Sequence, residues 1–331
     1  MQIPRFWSEA SLRGHREGRQ ITIRRFGWSG NSQDQADNHA QERAAEGLRR
    51  AVAGEDVARR ERKVAYNGAE GLPIREEVLE SHLDGDLVVT RNSYGARCLN
   101  VSNVLIADVD FATQYASYDS VRAMTFLFGV IAAGVAAAAL QSSTLLALMT
   151  GLAVGIASLR LVDAWIRSRR TPQRATTKVE SRLESFLSEH PDWRIRLYRT
   201  PAGLRLLVMH ATFDPVTDEE AIQSFFLATN ADPIYARMCQ LQKCFRARVS
   251  PKPWRVGVED RLRPRPGTWP IRPEWMRGRE AWVRAYESAS EAFASCRYIK
   301  SMGSETINSR AVEVRDLHDR MARANTDLPI A

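Results

Sequence analysis

From residue 123 to residue 159 the chain carries no charged side chain, and the run is predominantly apolar except around Gln141-Ser142-Ser143. A single helix of that length would overshoot the roughly 20 residues that cross a hydrocarbon core. The pattern therefore predicts a transmembrane helical hairpin over residues 121–170, two antiparallel spans turning at Gln141-Ser142-Ser143. Gly129, Gly134, Ala136, Gly151 and Gly155 would let the two backbones approach closely, within one chain or between chains, so an oligomer through the hairpin is also open. Arg122 precedes the first span, while Arg160, Arg167, Arg169, Arg170 and Arg174 follow the second, and the tip is uncharged. The positive-inside rule then expects an inner-membrane protein with termini and main domain in the cytoplasm. A hairpin returns the chain to the side it left, so residues 101–120 and 171–250 can form one core around it.

The flanking pattern predicts shorter elements. Residues 21–28 read as a strand, 32–52 as a helix stopped by Gly54, and 86–91 and 102–110 as strands. Residues 66–77 combine turn glycines with a proline that opens a helix. Beyond the hairpin, Val179, Leu183, Phe186 and Leu187 share one face of a helix over 174–190 that Pro191 ends. Strands follow at 193–200 and 204–211 around the turn Pro201-Ala202-Gly203. Thr217 with Glu220 starts a helix through 228, Asp232-Pro233 starts another through 243, and 245–250 is a strand. A connector rich in Pro and Arg spans 251–273, with a helix at 279–295, a strand at 297–301 and a helix at 309–323.

Without the hairpin, the order from 102 to 250 is strand, helix, strand, strand, helix, strand. The expected class is α+β: a ferredoxin-like (split βαβ) cytoplasmic core with an inserted two-helix transmembrane hairpin. Residues 1–100 would form an N-terminal α+β part of that domain, and 251–331 a C-terminal helical extension.

Charge adds a partner class. The 331 residues carry 47 Lys plus Arg against 39 Asp plus Glu, a net charge of +8, which favours an anionic partner: nucleotide, nucleic acid or an anionic membrane face. Four cysteines, Cys98, Cys239, Cys244 and Cys296, are too few and too unevenly spaced for a disulfide framework, and no C-x-x-C pair occurs. They read as buried free thiols. Residues 1–25 are Arg-rich and lack an apolar core, so they do not read as a signal peptide. Walker A, G-x-G-x-x-G, G-x-S-x-G and H-E-x-x-H motifs are absent.

Candidate chemistry begins with Asp108 and Asp110, which close an apolar strand. Alternation puts both carboxylates on one face, where they could share Mg²⁺ or Mn²⁺ with phosphate oxygens, or serve as turn and cap residues. An apolar strand ending in D-x-D, followed by a helix and the hairpin Arg199-Thr200-Pro201-Ala202-Gly203-Leu204-Arg205-Leu206-Leu207, resembles the archaeo-eukaryotic primase-polymerase palm over roughly residues 102–250. The resemblance implies catalytic metal at the D-x-D and nucleotide phosphate at the hairpin. Gly203-Leu204-Arg205 stands where that family carries a small-x-His signature.

A second constellation runs through Arg246, Arg248, Lys252 and Arg255, whose cations could converge on a phosphate or lipid head group. Trp254 could stack on a base or sit at a membrane interface. The same residues also suit a solvated strand edge blocked by charge and proline. Arg91, Asn92 and Arg97 lie in a Gly/Asn/Tyr/Arg-rich loop just upstream of the D-x-D strand and are candidates for holding substrate phosphate. Two functions remain open: metal-dependent nucleotidyl or phosphoryl transfer, with Asp108 and Asp110 on the cation and Arg199, Arg205, Arg246 and Arg248 on phosphate, or a non-catalytic membrane-tethered module binding nucleotide, nucleic acid or protein.

Overall fold

The computed structural model describes residues 1, 3–61, 72–111, 119–139, 144–169, 171–264 and 269–331. The expected hairpin tip at 141–143 and residues 66–71 of the expected glycine-proline turn lie outside them. What is described is a mixed α+β chain with three antiparallel sheets.

At the N-terminus, β1 (Phe6–Arg16) and β2 (Arg19–Ser29) form a two-stranded ribbon, in register from Phe6 opposite Ser29 to Arg16 opposite Arg19. Helix α1 (Gln33–Val52) lies on it, capped by the Ser32 hydroxyl, which accepts from the Gln35 amide. Its buried stripe is Ala36, Ala40, Ala44, Gly47 and Ala51, small residues one turn apart that bring helix and ribbon close. Contact is tightest at Gly27, where a Cβ would stand 2.1 Å from the Ala40 amide nitrogen. Strand β1 was hidden in the sequence because polar and charged residues interrupt it and its buried Trp7 and Ala10 stand three apart, off the two-residue alternation of a strand.

A four-stranded sheet follows, β3 (Glu77–His82), β4 (Leu87–Arg91), β5 (Arg97–Val101) and β9 (Phe245–Arg248), antiparallel in that order. The other four-stranded sheet has the order β10 (Arg297–Gly303), β7 (Arg194–Arg199), β8 (Gly203–Val208), β6 (Ile106–Asp110). Helices α4 (Pro172–Glu189), α5 (Glu219–Thr229) and α6 (Pro233–Gln242) bury apolar faces beside it, with Val179, Leu183, Ile195, Leu206 and Phe225 fully enclosed. Helices α7 (Pro273–Ser290) and α8 (Ser309–Ala322) complete the C-terminal part.

Two expectations are corrected. Strands β6, β8 and β7 pair as the first, third and second strands of a split βαβ unit would, but β9 does not take the fourth place beside β6. It pairs instead with β5, from Cys98 opposite Arg248 to Val101 opposite Phe245. The expected strand 102–110 is also shorter, beginning at Ile106, and the residues just before it form β5. That earlier strand supplies the edge that captures β9, so no single four-stranded ferredoxin-like sheet is built.

The transmembrane hairpin is the second correction. The segment does form two helices that pack together, α2 (Asp119–Ala139) and α3 (Thr144–Arg169), with Gly129 Cβ space closed by Ser158 and Gly155. Among the described residues, however, no helix is long and apolar enough to cross a membrane. Once the run folds at its middle, uncharged residues 123–139 and 144–159 are what each helix has between Arg122 and Arg160. At 1.5 Å per residue each gives about 25 Å, short of a hydrocarbon core of about 30 Å. The inner-membrane location and the membrane-tethered description are corrected with it. Leu127, Phe128, Val135, Leu145 and Met149 are exposed on this pair of helices.

The close approach of ribbon and helix gives a direct test. Gly27→Ala is expected to cost about 1–3 kcal/mol through overpacking against the α1 backbone, whereas Gly30→Ala, where a Cβ meets open space, should leave urea unfolding unchanged.

Candidate functional site

The strand end that carries Asp108 and Asp110 is where both four-stranded sheets and α8 meet. Asp108 lies opposite Arg205 in the β6–β8 ladder. Arg205, 3% exposed, donates Nε to Asp108 Oδ1 at 2.8 Å and Nη2 to Oδ2 at 3.4 Å. Its Nη1 donates to the Arg248 carbonyl at 2.9 Å, reaching β9, and to His318 Nε2 at 3.2 Å, reaching α8. Burial acts against the Arg205 charge, but the Asp108 carboxylate outweighs it and holds the guanidinium firmly protonated. With Nε2 accepting, the His318 Nδ1–H donates to Asp319 Oδ1 at 2.9 Å, and Asp319 in turn accepts from Arg196 at 2.8 Å.

Most of the cations expected at a phosphate are spent inside the protein. Arg246 sends Nη2 to both Glu76 oxygens at 2.7 Å and Nη1 to Asn100 Oδ1 at 2.9 Å, a network in which Arg246 is 7% and Glu76 1% exposed. Arg91 is buried, donating to Glu287 at 2.6 Å and to the Gly95 carbonyl at 2.9 Å. Asn92 accepts from the Tyr94 and Ala96 amides, closing the β4–β5 turn. Arg97 faces Glu287 at 4.0 Å, and the Arg199 guanidinium lies 4.2 Å over the Phe111 ring. Arg91, Asn92, Arg205 and Arg246 therefore have partners that tie strands and α7 together.

At the expected metal pair, the carboxylates already have protein partners. Both Asp108 oxygens are engaged by Arg205, and the neighbouring Asp232 side chain caps α6, accepting from the Ile234 amide at 2.9 Å. No group of three His, Cys, Asp or Glu among the described residues is arranged to hold an ion. Burial first, then Asp232 and Asp108, raises the Asp110 carboxyl above its ordinary value, against the pull of Lys252 and Arg248.

Less fully engaged is a cluster of three cations, Arg248 at the end of β9, whose Nη1 donates to the Tyr94 hydroxyl at 3.5 Å, with Lys252 and Arg255 beyond it. Arg248 Nε and Arg255 Nη1 are buried without a hydrogen-bond partner among the described residues. Lys252 lies between them in sequence, and burial, Arg248 and Arg255 together lower its pKa. Arg255 is likewise lowered by burial and Arg248. Arg248 lines a cavity of about 260 Å³ whose wall includes Asp108, Tyr235 and Tyr94. Tyr94 and Ser93 also line a larger cavity, about 820 Å³, walled by Trp254, Trp282 and Leu262. Sequence reading reached Arg248, Lys252, Trp254 and Arg255 because they are near neighbours. Trp282 carries no such signal: α7 delivers it from a distant segment.

A Cys–His–Asp line also exists in the interior. Cys296 Sγ lies 3.9 Å from His318 Nε2, whose other nitrogen bonds Asp319. All of it is buried, with the Cys296 thiol pushed up to about 12 by burial and His318 held neutral. A thiol in that state is no nucleophile, and the line is structural. Cys98, Cys239 and Cys244 are likewise buried free thiols.

No family model, no curated protein and no solved structure matches the chain.

The raised Asp110 pKa gives a pH test. The folded state binds the Asp110 proton more tightly than the unfolded chain, so the contribution is full at low pH and is lost as pH rises through the folded value. Asp110→Asn is therefore expected to stabilise at pH 7, with the gain over the parent shrinking as unfolding is measured at pH values falling toward 4.

Proposed function

We propose that the chain is a binding module for a phosphorylated ligand, held at Arg248, Lys252 and Arg255. The observation that carries this reading is three cations set together at the end of β9, Arg248, Lys252 and Arg255, two of which also bury a guanidinium N–H without an acceptor among the described residues. A buried donor left unpaired costs about 1–3 kcal/mol and more when charged; Arg75, Arg97, Arg279 and Arg297 also bury such a nitrogen, and what marks Arg248 and Arg255 is the further cation beside them. A third cation, Lys252, stands close enough that burial, Arg248 and Arg255 lower its pKa, against the pull of Asp110. Among the described residues none of the three makes an ion pair within 4.0 Å. A phosphate would accept from both guanidinium groups and neutralise the ammonium, which is the geometry Arg suits best.

Binding is favoured over metal-dependent phosphoryl transfer by what surrounds Asp108. A carboxylate closed on a buried arginine is a poor ligand for a hard cation, because the ion would have to displace the guanidinium and strand its charge. The positive cluster, by contrast, needs no metal to attract phosphate.

Calorimetric titration of sodium tripolyphosphate into the full chain tests this, with and without Mg²⁺. Binding is expected in EDTA, at least tenfold weaker in Arg248→Ala and in Lys252→Ala, and unchanged in Arg49→Ala, an exposed cation of α1 on the N-terminal ribbon. Binding that requires Mg²⁺ and is lost in Asp110→Asn would instead favour the transfer reading.

A further inference from the structure

The larger cavity extends the ligand beyond its phosphate, an inference that rests on the phosphate reading of the cation cluster. Trp254 sits between Lys252 and Arg255 in sequence, and the Lys252 ammonium lies 5.4 Å from its ring centroid. The wall of the 820 Å³ cavity thus begins one residue from the cation cluster. A ligand that fills both spaces must be anionic at one end and flat and apolar at the other.

The aromatic wall is built in advance. Trp282 stacks on Tyr286, ring centroids 5.3 Å apart and planes 19° from parallel. Tyr286 is itself fully buried, with its hydroxyl bonded to the Pro251 carbonyl at 2.6 Å and to Ser250 Oγ at 2.7 Å. Gly95, at φ +101, lets the Trp282 ring come so near that a Cβ there would be 2.3 Å away. Tyr94 leans on Trp254 with centroids 5.4 Å apart. Rings fixed this way offer a stacking platform for a base.

The rim of the cavity decides among bases. Trp282 Nε1 donates to the Asp260 carbonyl at 2.8 Å, which holds the segment carrying Glu259 and Asp260 beside the indole. Both acids line the cavity, and both are exposed. An ionised carboxylate only accepts hydrogen bonds. Of the common bases, guanine alone offers two adjacent donors, N1–H and the N2 amino group. Adenine and cytosine set their amino group beside a ring acceptor, and uracil flanks its single N–H with two carbonyls. Arg261 on the wall, and Lys252 against the Trp254 ring, disfavour a cationic guest. We propose that this cavity takes the base of a guanine nucleotide, with Glu259 or Asp260 reading its N1–H/N2 edge and Arg248, Lys252 and Arg255 on its phosphates.

The test is a calorimetric series on the full chain with GTP, ITP, ATP, UTP and tripolyphosphate, repeated on Glu259→Ala/Asp260→Ala. Both substituted residues are exposed, so the variant keeps its fold. GTP is expected to bind about tenfold tighter than ATP or UTP, within the range of a good bidentate base contact. ITP, which lacks only the N2 amino group, should lose most of that preference. In the double variant GTP should fall to the ITP level while tripolyphosphate is unaffected. Tripolyphosphate binding with no preference for GTP over ITP and ATP would overturn the guanine assignment and leave the phosphate reading standing. Failure of tripolyphosphate to bind at all would bring down both.

Discussion

Arg205 carries a positive charge into an interior where, among the described residues, it pairs with the Asp108 carboxylate 2.8 Å away. That single constraint orders the middle of the molecule. The guanidinium has more donors than Asp108 can take, and the remainder fix the Arg248 carbonyl on β9 and the His318 ring on α8. One side chain therefore joins β8, β6, β9 and the C-terminal helix, and through His318 and Asp319 the chain of partners runs on to Arg196. Breaking such a pair strands a buried charge at a cost of about 3–5 kcal/mol, where an exposed ion pair contributes about 1 kcal/mol or less. Because Arg205 grips the backbone of Arg248, the same contact sets where the Arg248 side chain emerges. Structure and binding share that residue, the main chain serving one and the guanidinium the other.

The order of strands and helices from Ile106 to Arg248 was readable because each element satisfies its own local pattern. Apolar alternation marks β7 and β8, an i, i+3, i+4 face marks α4, and Asp232-Pro233 opens α6. The membership of sheets was not readable. β9 chose β5, and β5 is a five-residue strand beginning at Arg97 that contains Asn100, too polar and short to stand out from the loop before it. The apolar hairpin was misjudged for a different reason: the run was divided correctly into two spans, but the uncharged residues 123–139 and 144–159 leave each one short of the roughly 20 that a hydrocarbon core takes.

At the site, local sequence marked cations without showing which were already paired. Arg246 and Arg248 stand two residues apart on β9 and look equivalent. Arg246 meets Glu76 from a distant segment and is closed, while Arg248 keeps an N–H without an acceptor. Pairing of this kind depends on tertiary partners, Glu76, Glu77 and Glu287 among them, which no spacing rule connects to their arginines. The aromatic wall was half visible. Trp254 and Tyr94 lie near the cations in sequence or by way of the β4–β5 turn, but Trp282 arrives on α7 and is recognisable only once that helix is docked by Arg91 on Glu287 and Arg279 on Glu77.

If the cluster of cations at the end of β9 exists to hold phosphate, a phosphate mimic must find it. A crystal of the full chain grown with tungstate, located by its anomalous scattering, tests this at atomic level. A peak is predicted within hydrogen-bond distance of Arg248 Nε and Arg255 Nη1, with Lys252 Nζ turned toward it. A crystal with tungstate bound elsewhere and those two groups paired to protein acceptors would contradict it.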